Sequence, residues 1–242
     1  FAGQRLIPVD TAGCYIPGGA APLVSTSLMT VILAKIAGVE EIVACSPPSA
    51  DGSLNPNIIY ALHNSGATEI YKMGGAHAIA SMAYGTKTIK KVNKIVGPGG
   101  PYVTAAKKIV YGDVAIDMVA GPSEIGILTD STANPKFVAA DLLSQAEHGT
   151  SLEKALLITT SMKQAQLVKE QVLKQSIQLK RRKIITDVIN NGMMIVVVKN
   201  LNDGVDLIND FAPEHMELIV KNPKKIIPRI KTAGALFIGS WT

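Results

Sequence analysis

Coordinating side chains are concentrated in the stretch DLLSQAEHGT, residues 141–150, which lies on a predicted helix. Asp141, Gln145 and His148 follow an i, i+4, i+7 spacing and therefore line one face of that helix. Zinc accepts imidazole nitrogen and, less often, an amide or carboxylate oxygen. Two such ligands one turn apart do not complete a metal site. These residues alone therefore leave two interpretations open, a solvated polar face and part of a zinc site.

A second candidate for chemistry is the stretch FAPEHMEL, residues 211–218. Pro213 fixes the backbone just before Glu214 and His215, and the chain then enters an apolar strand. Imidazole titrates near neutral pH and a carboxylate can hold a water molecule, so the pair can divide proton-transfer work. An ordinary loop pair without a catalytic role is the alternative.

Glycine clusters form the third candidate, in the stretches YIPGGAAP (15–22), MGGAHA (73–78) and VGPGGPYV (96–103). Each follows a predicted strand or opens a helix. Glycine lets the backbone approach a phosphate closely, and helix N-termini present free N–H groups to anions. None of the three is a GxGxxG motif with an acidic residue about 20 positions later. Ordinary tight turns therefore remain the alternative to a nucleotide site.

Short apolar runs alternate with helical segments along the whole chain, which is typical of parallel sheets covered by helices on both faces. In the first half the predicted strands are EIVACS, EIYKM, NKIVG and DVAID, with helices near 25–37, 55–65, 76–83 and 101–110. In the second half the predicted strands are IGILTD, ALLITT, MMIVVV, MELIV and GALFIG, with helices near 135–148, 162–178, 203–211 and 223–230.

The pattern predicts an α/β fold with two successive open, mostly parallel, Rossmann-like sheets. A length of 242 residues suits two modest domains. Gly121 and Pro122 in MVAGPSE are the best chain breakers between the halves. We therefore predict a first domain over 1–120, which binds the nucleotide, and a second over 121–242, which carries the other two motifs.

Composition argues against a nucleic-acid partner and a membrane span. The net charge is +5, but the basic residues are dispersed, and the one dense run, KRRK at 180–183, reads as a solvated turn. Aromatic residues make up 5% of the chain and provide no stacking platform for bases. The longest apolar run, MMIVVV, is far shorter than the roughly 20 residues of a spanning helix.

The cysteine content and the first residues predict a cytoplasmic protein. Cys14 and Cys45 are too few to form a disulfide framework, which fits a reducing compartment, and we interpret both as packing residues. The opening FAGQRLIPVD lacks the pattern of a secretory signal.

Taken in order, the motifs YIPGG, GGAHAIASMAYGT, VGPGG, AGPSE, DLLSQAEHG and APEHMEL resemble those of histidinol dehydrogenases, from about Gly13 to Thr242. The resemblance implies a zinc-dependent enzyme that oxidises L-histidinol through L-histidinal to L-histidine with two NAD molecules. It assigns Glu214 and His215 to acid–base catalysis and Gln145 and His148 to zinc. The remaining roles it implies are a substrate contact for Ser123 and cofactor contacts for Tyr15, Pro17, Gly18, Gly75, His77, Gly99 and Gly100.

Two residues depart from the family pattern, His77 where the family usually has Gln and Gly100 where it usually has Asn. The family also begins earlier and continues later, with a segment that adds an Asp and a His to the zinc site, the His across a homodimer. We therefore expect this chain to hold half of the metal site. A relative that oxidises another small polar alcohol and a silent nucleotide-binding module are the alternatives.

Overall fold

The computed structural model describes residues 3–18, 22–119, 121, 123–148 and 152–241. The chain forms two compact units, Phe1–Gly121 and Pro122–Thr242. Each unit contains a parallel sheet with helices packed on it, and this confirms the predicted α/β fold. No helix within these ranges is both long enough and apolar enough to span a bilayer.

The first unit is built around strand β1, which pairs in parallel with a strand on either side in the sheet order β3-β2-β1-β4-β5. Its strands are β1 (Thr11–Tyr15), β2 (Glu41–Ser46), β3 (Glu69–Lys72), β4 (Lys94–Val96) and β5 (Ala115–Ile116). Its helices are α1 (Val24–Ser27), a π-turn (Leu28–Ile32), α2 (Leu33–Ile36), α3 (Pro56–Ser65), α4 (Gly75–Tyr84) and α5 (Pro101–Val110).

The second unit repeats this arrangement around β6, in the order β10-β9-β6-β7-β8. Its strands are β6 (Glu124–Thr129), β7 (Lys154–Thr159), β8 (Met193–Val197), β9 (His215–Ile219) and β10 (Ala235–Ile238). Its helices are α6 (Pro135–Ala146), α7 (Met162–Ser176), α8 (Arg182–Asn191) and α9 (Leu201–Phe211), followed by two 3₁₀ turns (Pro223–Lys225 and Ile227–Arg229).

Each sheet has a buried core on both faces. Successive side chains of a strand point to opposite faces, so one strand contributes to both cores. In β1, Tyr15 packs in the core beneath α4 and α5, whereas Cys14 packs beneath α3 and the segment 24–36. In β9, Ile219 joins the core beneath α6, whereas Met216 and Leu218 join the core on the other face. This alternation also assigns His215 and Glu217 to the face that α6 covers.

The central strand β1 was not predicted from the sequence. TAGCY carries few branched or aromatic residues, which are the usual signal of a strand. The structure explains the glycine within it, because a Cβ on Gly13 would lie 2.7 Å from Met82 Sδ and 3.1 Å from Val92 Cγ2. The position needs a residue without a side chain so that α4 can pack closely on the sheet.

Two predictions in the second unit were wrong. KRRK at 180–183 is not simply a turn, because α8 begins at Arg182 and buries Ile185 and Val188 against α6 and α7. The segment 223–230 is not a helix but two 3₁₀ turns, since Pro228 lacks the N–H that a continuous α-helix requires.

A substitution at Gly13 tests the close packing of α4 on β1. We expect Gly13→Val to lower the free energy of unfolding by about 1–3 kcal/mol, because the added side chain overfills the space beside Met82 and Val92. Gly3→Val is the matched control, since a Cβ there has no neighbour within 4 Å. Urea denaturation of both variants measures the difference, and equal midpoints would contradict this account of the glycine.

Candidate functional site

The residues predicted to bind the cofactor converge on the carboxyl edge of the first sheet. There they follow the ends of three of its strands, and two of these, β1 and β4, flank the point where the strand order reverses. Open α/β sheets bind ligands in the crevice at such a point. The residues are Tyr15, Pro17 and Gly18 after β1, Gly75 and His77 after β3, and Gly99 and Gly100 after β4.

Direct contacts link these three turns. The phenol oxygen of Tyr15 accepts a hydrogen bond from the Gly75 N–H at 3.1 Å. Gly97 has a φ of +118°, and a Cβ there would lie 2.2 Å from the carbonyl oxygen of Tyr15. Only glycine permits this approach. The turn after β4 therefore packs on the backbone of Tyr15, whose side chain in turn meets the start of α4.

The turn after β1 packs closely on the end of β2, beside a buried hydroxyl without a partner among the described residues. A Cβ on Gly18 would lie 2.9 Å from Ser46 Oγ and 3.3 Å from the carbonyl oxygen of Pro47. Ser46 is fully buried, and its hydroxyl has no hydrogen-bond partner among the residues that the structure describes. A buried hydroxyl normally has a partner. The residues present thus suit a polar ligand that reaches this turn.

Two helices at the same edge begin at an N-cap residue that has no side chain, although at α4 the Tyr15 phenol already accepts from the Gly75 N–H. The N-cap residues of α4 and α5 are Gly74 and Gly100, whereas Asn55 and Asn134 cap α3 and α6 with their side chains. A helix start without a capping side chain leaves N–H groups for another acceptor, and its dipole favours an anion. His77, in the first turn of α4, is exposed.

The residues predicted for catalysis, zinc and substrate lie at the amino edge of the second sheet. Ser123 precedes β6 and Glu214 precedes β9, and these strands are neighbours with Ile125 opposite His215. The crossover from β6 to β7 brings the end of α6, with Gln145 and His148, back to the same edge. The structure therefore gathers all five on one edge of one unit.

Glu214 and His215 are close but do not bind each other. Glu214 Oε2 lies 4.0 Å from His215 Nδ1, and their side chains are 53% and 37% exposed. That distance is too long for a hydrogen bond. The imidazole also lies 6.0 Å, centre to centre, from the ring of Phe237 on β10. Both polar groups are thus accessible to a ligand and neither is committed to the other.

The backbone around this pair is closely packed. Ala212 ends α9 with a φ of 51°, a left-handed conformation that non-glycine residues seldom adopt. Pro213 follows it and packs against Gly126, where a Cβ would lie 2.9 Å from Pro213 Cγ. On the other side, a Cβ on Gly234 would lie 2.7 Å from the Glu214 carbonyl oxygen. These contacts fix the turn that presents Glu214 and His215.

The metal-binding candidates differ in environment. As predicted, Asn134 is the N-cap of α6 and Pro135 is its first residue. The helix ends at Ala146, however, so His148 lies in the following turn and not on the helix as predicted. Gln145 is 3% exposed, and its Nε2 atom has no partner among the described residues. His148 is exposed, with Nδ1 3.2 Å from the Ser144 carbonyl oxygen.

A buried acid pair that the sequence did not reveal lies on the same sheet face. The carboxyl groups of Asp141 on α6 and Glu217 on β9 are close enough to interact, and Glu217 is 8% exposed. Burial and the charge of Asp141 raise the pKa of Glu217 to about 8. Burial also raises the pKa of Asp141. The only signal in the sequence is an acidic residue inside the apolar strand HMELI.

The acid pair predicts how stability depends on pH. Glu217 binds its proton more tightly in the folded chain than in the unfolded one, so folding takes up a proton between the ordinary glutamate pKa and about 8. Stability should therefore fall as pH rises through this range, by up to about 1.4 kcal/mol per pH unit. Glu217→Gln should flatten that slope in urea titrations, whereas the exposed Glu147→Gln should leave it unchanged. A wild-type slope of zero would contradict the buried pair.

Comparison with known proteins places these features in a family. The chain is 49% identical over 240 residues to a histidinol dehydrogenase of Bacillus licheniformis and 50% identical over 240 residues to one of a Synechococcus strain, in each case over 99% of this chain. It covers 56% and 55% of those proteins, so the chain spans about half the length of the curated relatives it matches.

Solved structures give the same result. The crystal structure of histidinol dehydrogenase from Elizabethkingia anophelis matches 98% of this chain and 54% of its own, with a TM-score of 0.91 and 44% identity. An acetylating aldehyde dehydrogenase from Geobacillus thermoglucosidasius matches with a TM-score of 0.59 at 14% identity, which shows a shared fold alone. The sequence profile of the histidinol dehydrogenase family matches residues 1–242, and this chain therefore belongs to that family.

Proposed function

We propose that the chain carries the cofactor and acid–base parts of a histidinol dehydrogenase. In the first oxidation the alcohol of L-histidinol loses a hydride to NAD and a proton to the protein, which gives L-histidinal. In the second, the hydrated aldehyde loses a hydride to another NAD and becomes the carboxylate of L-histidine. The observation that supports this most is the exposed pair Glu214 and His215 at the edge where Gln145, His148 and Ser123 also lie.

His215 is the group that accepts the alcohol proton in this proposal. Its imidazole is partly exposed, and imidazole is the side chain most often used as a general base, which suits this role. Glu214, at 4.0 Å, holds the water that adds to the aldehyde and takes one of its protons. Because the two groups do not bind each other, each can serve a different step.

The first unit binds NAD in this proposal. The dinucleotide carries a pyrophosphate, and the uncapped starts of α4 and α5 favour such an anion. Gly18 and Gly99 are needed for close packing, because a Cβ would lie 2.9 Å from Ser46 Oγ at Gly18 and 2.3 Å from Val103 Cγ1 at Gly99, and the buried Ser46 hydroxyl is a candidate polar contact. His77 and Gly100 lie at this edge too, so the two departures from the family pattern bear on cofactor affinity.

Zinc is the other group that the family implies. Gln145 fits this role in part, because it is 3% exposed and carries an amide oxygen that can be a zinc ligand, and His148 offers an imidazole in the next turn. No cluster of three or more His, Cys, Asp or Glu that could hold a metal occurs within the described ranges. When bound, zinc would act as a Lewis acid that does not change oxidation state. The residues described here supply two of its ligands at most.

The catalytic pair can be tested by separating the two oxidations. We expect His215→Asn to slow NADH formation from histidinol and Glu214→Gln mainly to slow it from histidinal, each by roughly 10²-fold or more. Stopped-flow absorbance of NADH measures both rates. The assay uses the protein expressed from its complete gene. Other small polar alcohols in the same assay test the choice of substrate. Normal rates in both variants would remove the pair from the mechanism.

The zinc proposal can be tested without activity. The isolated 242-residue chain should hold zinc weakly, because two neutral ligands fall short of the three or four that protein zinc sites use. Elemental analysis after dialysis measures the bound metal, and circular dichroism verifies folding. The exposed His63→Ala is the control for His148→Ala. Stoichiometric zinc that survives His148→Ala would exclude this turn as a metal site.

A further inference from the structure

An ion pair between a buried lysine and a partly exposed aspartate lies beside the glycine turn that follows β4. Lys107 of α5 is 3% exposed, although lysine is almost never buried unless it is paired. Its Nζ donates to a carboxylate oxygen of Asp117, which follows β5, and to the Gly97 carbonyl oxygen at 3.0 Å. The lysine charge is therefore directed into the protein, where it meets one carboxylate and one peptide group.

The same pair holds both polar groups of Gly97. Asp117 accepts a hydrogen bond from the Gly97 N–H at 2.8 Å, while Lys107 donates to the Gly97 carbonyl oxygen. Asp117 also accepts from the Met118 N–H at 2.7 Å. Burial raises the pKa of Asp117, but the hydrogen bonds from Lys107, Gly97 and Met118 outweigh it and hold that pKa below its ordinary value. The carboxylate stays charged, as the ion pair requires.

This arrangement affects the other turns of the edge through Gly97. With a φ of +118°, Gly97 packs on the backbone of Tyr15, and the phenol of Tyr15 binds the Gly75 N–H at the start of α4. Helix α5 begins four residues after Gly97 and carries Lys107 in its last turn. The ion pair thus connects the far end of α5 to the turn that precedes its start.

We infer that Lys107 and Asp117 are positioning residues, which hold the turn 97–100 in the shape that receives the phosphates of a dinucleotide. This inference rests on the proposed cofactor role of the first unit. A lysine near a glycine turn often contacts phosphate itself, but the Lys107 ammonium is already bound to Asp117 and Gly97 and acts through the backbone. The ligand class is a nucleoside diphosphate or a dinucleotide that contains one.

Calorimetric titration of the 242-residue chain with NAD, and separately with ADP, tests the inference. We expect Lys107→Met, Asp117→Asn and the double variant each to weaken binding of both nucleotides about tenfold or more, which corresponds to about 1.4 kcal/mol. The double variant is included because, unlike Asp117→Asn, it leaves no buried lysine charge without its partner. Its loss of affinity should be smaller than the sum of the single losses.

Two controls separate positioning from loss of charge or stability. Lys108→Met removes an exposed cation from the same helix and should change affinity by less than roughly twofold. Val92→Ala removes buried apolar contacts elsewhere in the first unit and should lower the melting temperature without weakening NAD or ADP binding.

The outcomes distinguish the inference from the proposed function. Wild-type affinity in a folded double variant would overturn the inference and leave the cofactor role intact, and so would an equal loss in Lys108→Met or Val92→Ala. A wild-type chain that binds neither NAD nor ADP would overturn the cofactor role together with the inference. Weakened binding in the Lys107 and Asp117 variants, with unchanged affinity in Lys108→Met and Val92→Ala, would support both.

Discussion

Parallel pairing of β6 with β9 is the constraint on which the geometry of the candidate site in the second unit depends. The register sets Ile125 opposite His215, so the residues that precede the two strands, Ser123 and Glu214, lie at the same edge. A shift of one residue would turn His215 away from the face that α6 covers and bring Met216 into its place. The glycine at position 126 maintains this register locally, because it alone allows Pro213 to pack so closely.

The two units share one strand order but carry their candidate residues at opposite edges of their sheets. In both, the first strand lies at the centre, two strands follow on one side and two on the other. The cofactor candidates lie at the carboxyl edge of the first sheet, where α4 and α5 begin, and the acid–base candidates lie at the amino edge of the second, where α6 ends. Helix starts favour anions, whereas a strand start offers side chains on a rigid backbone. The chemistry assigned to each unit follows this difference.

The sequence was sufficient for the fold class and for most strands, because those strands are apolar on both faces and have clear breakers between them. It was insufficient where a neighbour decides the structure. TAGCY forms the central strand of the first sheet although it contains a glycine. The reason for Gly13 is its close contact with Met82, which is far from it in the chain. Likewise, α8 is stabilised by burial of Ile185 and Val188 beneath other helices.

In the candidate site, too, some residues could be identified from the sequence and others only from the structure. Glu214, His215, Gln145 and His148 stand in recognisable motifs, whereas the Asp141–Glu217 pair and the Lys107–Asp117 pair each join residues from separate motifs or from none. Nothing in the local spacing of a lysine on α5 shows that it will be buried. The end of α6 at Ala146 could not be read either, since Gln145 and His148 fit a continuing helix equally well.

The placement of the two cysteines, on adjacent strands but opposite faces of the first sheet, makes them natural reporters. Both are fully buried, and burial raises the pKa of Cys14 to about 11 and that of Cys45 to about 12. A thiol in that state does not react with alkylating reagents, because the thiolate is the nucleophile. The chain has no other cysteine. The rate of thiol alkylation therefore measures how often the first unit opens and is blind to opening of the second, so each face of one sheet can be followed without any engineered label.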